Sequence, residues 1–307
     1  MGKAVSSAVR TQAEPETEAG YHTRALVRAL SILDVFSSER RPLGVKDLHQ
    51  LLGLPKPTVS RLASVLEQFG YLTRRGALYV LGPKLFELGS LFARQDGLIE
   101  ISRIPLEQAS ADTRQTSCLG VLKGPDIVHL VVVPSLSPVH YVTNIGSLAP
   151  AHSTGLGKAL LAELSGNAFE FQLSQLSLKR YTPNTIVEME RLRKEIGTIR
   201  RRGYAIDDEE TAIGLKCVAM AVSLAPMGAV AISFSGPAAD FTDHRIEQYV
   251  RRLAKTASQL RASFSAAADH RSNSNHAVDG GQPPRNAGRR RSAGFRTHDN
   301  GAYVDER

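Results

Sequence analysis

A chain of 307 residues, 42% of them hydrophobic, is long enough for two domains with cores of their own, and no apolar run approaches the roughly 18 residues of a membrane span. The opening MGKAVSSAVRTQAEPETEAG lacks the apolar stretch of a secretory leader, so the expected location is the cytoplasm. The formal charge of +8 is concentrated in residues 21–97, where eleven Lys/Arg stand against six Asp/Glu, a surplus suited to a phosphate-facing surface.

Residues 1–20 show no periodicity and read as a flexible leader. Arg24 to Ser38 places Leu26, Leu30, Leu33 and Val35/Phe36 at helical spacing, and Val45, Leu48 and Leu51/Leu52 repeat the pattern before Gly53. A third helix is predicted over 57–69. Val59, Leu62, Ala63, Leu66 and Phe69 line its buried face, and Pro57, Ser60, Arg61, Ser64 and Gln68 lie opposite. Tyr71–Thr73 and Leu78–Val80 read as two short strands, joined by a turn at Gly76 with Arg74 and Arg75 at its tip. Three helices and a wing make a winged helix-turn-helix domain over 21–82. Its short-chain polar helix face fits a major groove, with Ser60, Arg61 and Ser64 toward base edges, and Lys56, Thr58, Arg74 and Arg75 toward phosphates. An ordinary surface helix and hairpin is the alternative reading.

Residues 83–97 carry Leu85, Phe86, Leu88, Leu91 and Phe92 around much of a short helix, so this linker is expected to bury itself, most naturally against the same helix of a second subunit. Beyond it, residues 98–264 alternate helices and strands. Helices are predicted over Ile99–Arg114, Gly155–Leu164 and Thr242–Phe264, and strands over Ser117–Leu122, Ile127–Val133, Val139–Asn144, Lys216–Leu224 and Ala229–Phe234. Thr185 to Arg202 opens with a Thr185/Glu188 capping box and stops at Gly203. The class is α+β. Residues 265–307 lack periodicity and read as a disordered tail, whose Arg289–Arg291 run is read as a solvated charge cluster in preference to an extra nonspecific DNA contact.

Chemistry concentrates in the second domain. His152-Ser153-Thr154-Gly155-Leu156-Gly157-Lys158 opens a helix, whose free amides favour an anion. Asp207 to Glu210 form a carboxylate run, Cys217 follows, and Ser233 and Ser235 share one side of a strand. Such small polar groups suit a small organic acid. The plain reading makes Cys217 a buried hydrophobe, the serines backbone partners and the acidic run a solvated turn. Two other functions compete: an enzyme with Cys217 as nucleophile and His152 as base, and a ligand-free architectural DNA-binding protein. Cys118 and Cys217, the only cysteines, have neither zinc nor disulfide spacing, and there is no cofactor fingerprint, so no metal or cofactor is expected. With no tryptophan and 6% aromatics, a stacking platform for single strands is disfavoured.

The R-A-L-x-I-L of Arg28 to Leu33, G-L-P-K-x-T-V-x-R-L of Gly53 to Leu62, L-x-x-x-G-Y-L of Leu66 to Leu72 and Y-V-L-G-P-K-L-x-E-L-G of Tyr79 to Gly89 resemble the N-terminal domain of the IclR family of bacterial transcriptional regulators. P-A-H-S-T-G-L-G-K-A-L-L-A of Pro150 to Ala162, R-x-x-G-Y-A-x-D-D-E-E-x-x-x-G-L-K-C of Arg200 to Cys217 and A-I-S-F-S-G-P of Ala231 to Pro237 resemble its GAF-like effector-binding domain. The resemblance implies an operator-binding regulator, a homodimer or a dimer of dimers, cytoplasmic and at the nucleoid when bound to DNA. It also implies that Gly155, Leu156, Asp207, Cys217, Ser233 and Ser235 line a pocket for a small effector. Pro57 stands where the family usually has serine, and Gly155 where alanine is common.

Overall fold

The computed structural model describes residues 18–95, 97–135, 137, 143–225 and 227–278. The expected leader before Glu18 and the expected tail beyond Val278 lie outside the described residues.

Helix α1 (Glu18–Glu39), α2 (Val45–Leu52) and α3 (Lys56–Gln68) close on one core built from Ile32, Phe36, Leu48, Val59, Ala63 and Leu66. Strands β2 (Leu72–Arg75) and β3 (Leu78–Leu81) form the expected wing, and Leu72 and Tyr79 turn inward to the same core. Gly76 takes φ 62° at the tight turn, a conformation that costs a side-chain-bearing residue about 1–2 kcal/mol. A short strand β1 (Leu43–Gly44), with too few residues to show a period, adds to β3 on the side away from β2. Phe69 corrects the predicted stripe: it is 64% exposed, because α3 ends at Gln68 and the chain turns away at Gly70 before the stripe's last member can reach the core.

Helix α4 (Pro83–Gln95) follows the wing, then α5 (Leu98–Thr113), which contains Pro105. The second domain is a six-stranded antiparallel sheet. In spatial order it runs β6 (Leu148–Pro150), β5 (Asp126–Val133), β4 (Thr116–Lys123), β9 (Gly228–Pro237), β8 (Leu215–Leu224) and β7 (Ala205–Asp208). Period-two alternation divides its faces. Val218, Val222, Ile232 and Phe234 face one way, toward α5 and the closing helix α9 (Asp243–Val278), where Leu253, Ala257 and Leu260 complete a core. Cys118, Cys217, Ala219 and Ala231 face the other way, toward α6 (Gly155–Glu163), α7 (Gly166–Ser174) and α8 (Met189–Arg202). The small side chains on this face let α6 lie close to the sheet, and every residue of α6 from Gly155 to Leu161 is buried. This is the expected α+β, GAF-like architecture.

Other details differ from the sequence reading or fall outside the described residues. The residues expected as a strand over Val139–Asn144 lie, up to Tyr141 and Val142, outside the described residues; Thr143 and Asn144 are coil, and the outer strand is β6. The Thr185/Glu188 capping box does not form. Helix α8 starts at Met189, and the Thr185 hydroxyl is spent on the Glu210 carbonyl at 2.6 Å. Helix α7 and strand β7 were not predicted, β7 being hidden by its acidic end. Helix α9 runs past Phe264, where its apolar period stops, to Val278.

Candidate DNA-reading surface and effector site

Helix α3 is held by Val59, Ala63 and Leu66, which are buried, and this fixes which side is left outward. Lys56, Ser60, Arg61 and Ser64 are exposed and Thr58 is half-buried, all on the side away from the core. The residue before the helix, Pro55, offers no side-chain cap, so the first-turn amides have no acceptor from that side chain. Serine and threonine are short enough to let such a helix approach base edges closely, and Arg61 reaches beyond them.

The two wing arginines differ. Arg74 folds back: its Nε lies 3.3 Å from Glu67, its guanidinium also donates to the Tyr79 hydroxyl, and it stacks 4.8 Å from the Tyr79 ring centre. Arg75, one residue nearer the turn, is exposed. Sequence pattern could not distinguish them, because the Glu67–Arg74 pair joins the recognition helix to the wing across a tertiary contact.

In the second domain, strand register collects the expected residues. Asp207 pairs with Cys217, Cys217 with Ser235, and Ser235 with Thr116, so these four form one row across β7, β8, β9 and β4. Ala205, Ala219, Ser233 and Cys118 form the row two residues away on the same face. Gly155 and Leu156 open α6 directly above. A Cβ built on Gly155 would lie 2.9 Å from Cys217 Sγ, so backbone, not side chain, meets the sheet there. Thr154 caps the helix, its hydroxyl accepting from the Gly157 amide at 3.2 Å. Asp207, Cys217, Ser233 and Ser235 are all buried.

The carboxylate of Asp207 is engaged within its own loop. Oδ1 accepts the Glu210 amide at 2.8 Å, and Oδ2 the Thr211 hydroxyl at 2.7 Å. Burial raises its pKa above the usual carboxylate value, against the Thr211 bond and the Lys158 charge. Lys158, 1% exposed, binds Glu210 in a buried ion pair that ties α6 to the β7–β8 loop. Burial also raises Glu210, opposed by Lys158. The sequence reading did not name this pair. Its signal was a lone lysine in the apolar run GLGKALLA, which a buried helix tolerates only beside a carboxylate.

Burial pushes the Cys217 thiol up to about 12, and Asp207 adds to the shift. Cys118 is raised as well, chiefly by burial. A nucleophilic cysteine needs its thiolate favoured, and these are held as thiols. The His152 ring nitrogen is 3.0 Å from the Lys179 carbonyl, and burial lowers its pKa. Ser153 Oγ and Glu210 Oε2 are buried without a hydrogen-bond partner among the described residues, and the buried Ser233 hydroxyl has only the thiols of Cys118 and Cys217 beside it. Among the described residues no three His, Cys, Asp or Glu side chains gather to hold a metal, and no helix is long and apolar enough to cross a membrane.

An outward polar recognition helix with a wing, joined in one chain to a sheet domain with a buried polar row, defines a transcriptional regulator with separate DNA-binding and sensory parts. Comparison with known proteins makes the assignment. Residues 25–76 match the IclR helix-turn-helix domain, and residues 92–262 match the bacterial transcriptional regulator IclR C-terminal domain. The chain belongs to the IclR family of transcriptional regulators, whose members are regulators and not enzymes. It is 34% identical over 232 residues to the HTH-type transcriptional regulator KdgR of Dickeya chrysanthemi, covering 73% of this chain and 76% of that one. Its fold is similar to the crystal structure of the Thermotoga maritima IclR, with TM-score 0.59, 29% identity, and 79% and 99% of the two chains covered. An IclR homologue from Microbacterium hydrocarbonoxydans complexed with 4-hydroxybenzoate shares the fold at TM-score 0.69 and 22% identity, over 79% of this chain and 99% of that one.

Proposed function

We propose that the chain binds operator DNA as a homodimer through the Ser60/Arg61/Ser64 side of α3, and that a small organic carboxylate seated at the start of α6 shifts its operator affinity. Lys56, Thr58 and Arg75 serve phosphates in this reading, and Arg74 braces the wing. The observation that carries the effector half is the Ser153 hydroxyl, buried without a partner among the described residues just before α6, together with the buried Ser233 hydroxyl beneath the first turn, which only the weakly bonding thiols of Cys118 and Cys217 approach. An unpaired buried hydroxyl costs about 1–3 kcal/mol, which a bound acceptor would return. A helix N-terminus supplies the amides and dipole for the carboxylate. Gly155, Leu156, Asp207, Cys217, Ser233 and Ser235 form the pocket, with Asp207 holding the loop in place. Support for the dimer is the apolar outer surface of α4, where Phe86 is 81% exposed and Leu91 is exposed too. Such a dimer would reside in the cytoplasm, on the nucleoid when bound.

Thermal-shift titration with pyruvate and 4-hydroxybenzoate, the acid held by the homologue of similar fold, tests the effector half. Stabilisation without turnover, lost in Ser233→Ala and Ser235→Ala, is expected. Indifference to every small carboxylate tried, with operator binding intact, would leave a ligand-free DNA-binding protein instead. Sedimentation of Phe86→Glu tests the dimer, which this change should dissociate.

A further inference from the structure

A cavity of about 410 Å³ lies at the end of the sheet where β4 and β9 meet α4 and α5. Eleven residues line it, among them Phe92, Leu98, Val121, Leu160, Met227 and Ala229, and none carries a charge, a hydroxyl or an amide side chain. Leu98 and Val121 belong with the core on the α9 side of the sheet, Leu160 and Ala229 with the core on the α6 side, so the recess opens between the two cores around the strand ends. Of the six, Phe92 alone is exposed.

We infer that this cavity is a second ligand site, for one small uncharged aromatic or aliphatic molecule, separate from the polar site at the start of α6. Its volume falls within the roughly 300–1,000 Å³ typical of small-molecule pockets. A charged ligand would lose its hydration with no charged side chain in the wall to replace it. A protein surface needs a footprint of about 800 Å² on each partner, and a recess of this size takes only one or two side chains, far short of that. From Ala229 in its wall to Ser235 in the polar row, β9 runs six residues, about 20 Å. Helix α6 runs from one site toward the other, with Gly155 at the polar site and Leu160, five residues or about 8 Å along the axis, in the apolar wall. A molecule in the cavity touches Leu160 of α6 and Phe92 of α4 together, so any coupling to the polar site runs through α6 and is reciprocal.

The test is a fluorescence titration of the full chain with N-phenyl-1-naphthylamine, an uncharged probe that brightens in apolar surroundings. One saturable site per chain is expected. Ala229→Trp, which fills the cavity, should weaken it at least tenfold, and Phe92→Ala, an exposed position that leaves the fold intact, several-fold. Phe86→Ala and Ser235→Ala should leave it unchanged. Absence of saturable binding overturns the inference. So does loss of binding in Phe86→Ala, which would place the probe on the outer face of α4, or loss in Ser235→Ala with Ala229→Trp unaffected, which would place it in the polar site.

Discussion

Replacing Gly155 by alanine tests how tightly α6 is seated on the sheet. Glycine to alanine in a helix ordinarily stabilises by up to about 1 kcal/mol, because the unfolded chain loses freedom it no longer has to give up. Here the new methyl would sit 2.9 Å from Cys217 Sγ and 3.3 Å from Ala219 Cβ. The thiol has one rotor, walled by the Ser233 and Ser235 hydroxyls, and the Ala219 methyl cannot turn away at all. Overpacking of this kind costs about 1–3 kcal/mol, so a net loss of about 1–2 kcal/mol is expected. In a Cys217→Ala background the closest atom is gone, and Gly155→Ala should become neutral or stabilising, a coupling of about 1–2 kcal/mol. Urea unfolding of the four proteins of this cycle measures it. A stabilising Gly155→Ala in the native background, or strictly additive effects, would refute the close seating of α6 on β8.

Lys158→Met should destabilise by about 3–5 kcal/mol by leaving Glu210 buried without its cation, and Lys158→Met with Glu210→Met should recover most of that loss in urea unfolding. Arg74→Ala should loosen the wing, seen as faster amide exchange in β2 and β3, while Arg75→Ala should weaken binding to all duplexes alike and lower the salt slope by about 1. Burial lowers the folded pKa of His129 and His152 below 6.5, so the unfolded chain binds more protons between the two values. Stability from these groups is full above pH 6.5 and is lost as pH falls through the folded values. On acidification below 6.5 the urea midpoint of the native chain should therefore fall relative to that of His152→Gln.

Much of this was legible in the sequence because period reports burial directly. Val59, Ala63 and Leu66 fixed the inward side of α3 and therefore the outward one, and the alternation in β8 and β9 put Ser233 and Ser235 on one face. What period cannot carry is pairing across the fold. The row from Asp207 to Thr116 exists only through strand register, and the Lys158–Glu210 pair joins residues far apart in the chain. Thr185 shows the converse error: a local capping signal lost to a tertiary acceptor, the Glu210 carbonyl. Phe69 was misplaced because a stripe extrapolated past the end of a helix has no core left to enter.

The orientation of α3 is tested most directly by selecting preferred duplexes from a random library with the wild-type protein and with Arg61→Ala, at fixed salt. Loss of preference at one or two base-pair positions, worth about 1–3 kcal/mol each, with the remainder of the preferred sequence retained, is the expected result. Identical preferences with uniformly weaker binding would mean that Arg61 touches only phosphate and that another surface reads the bases.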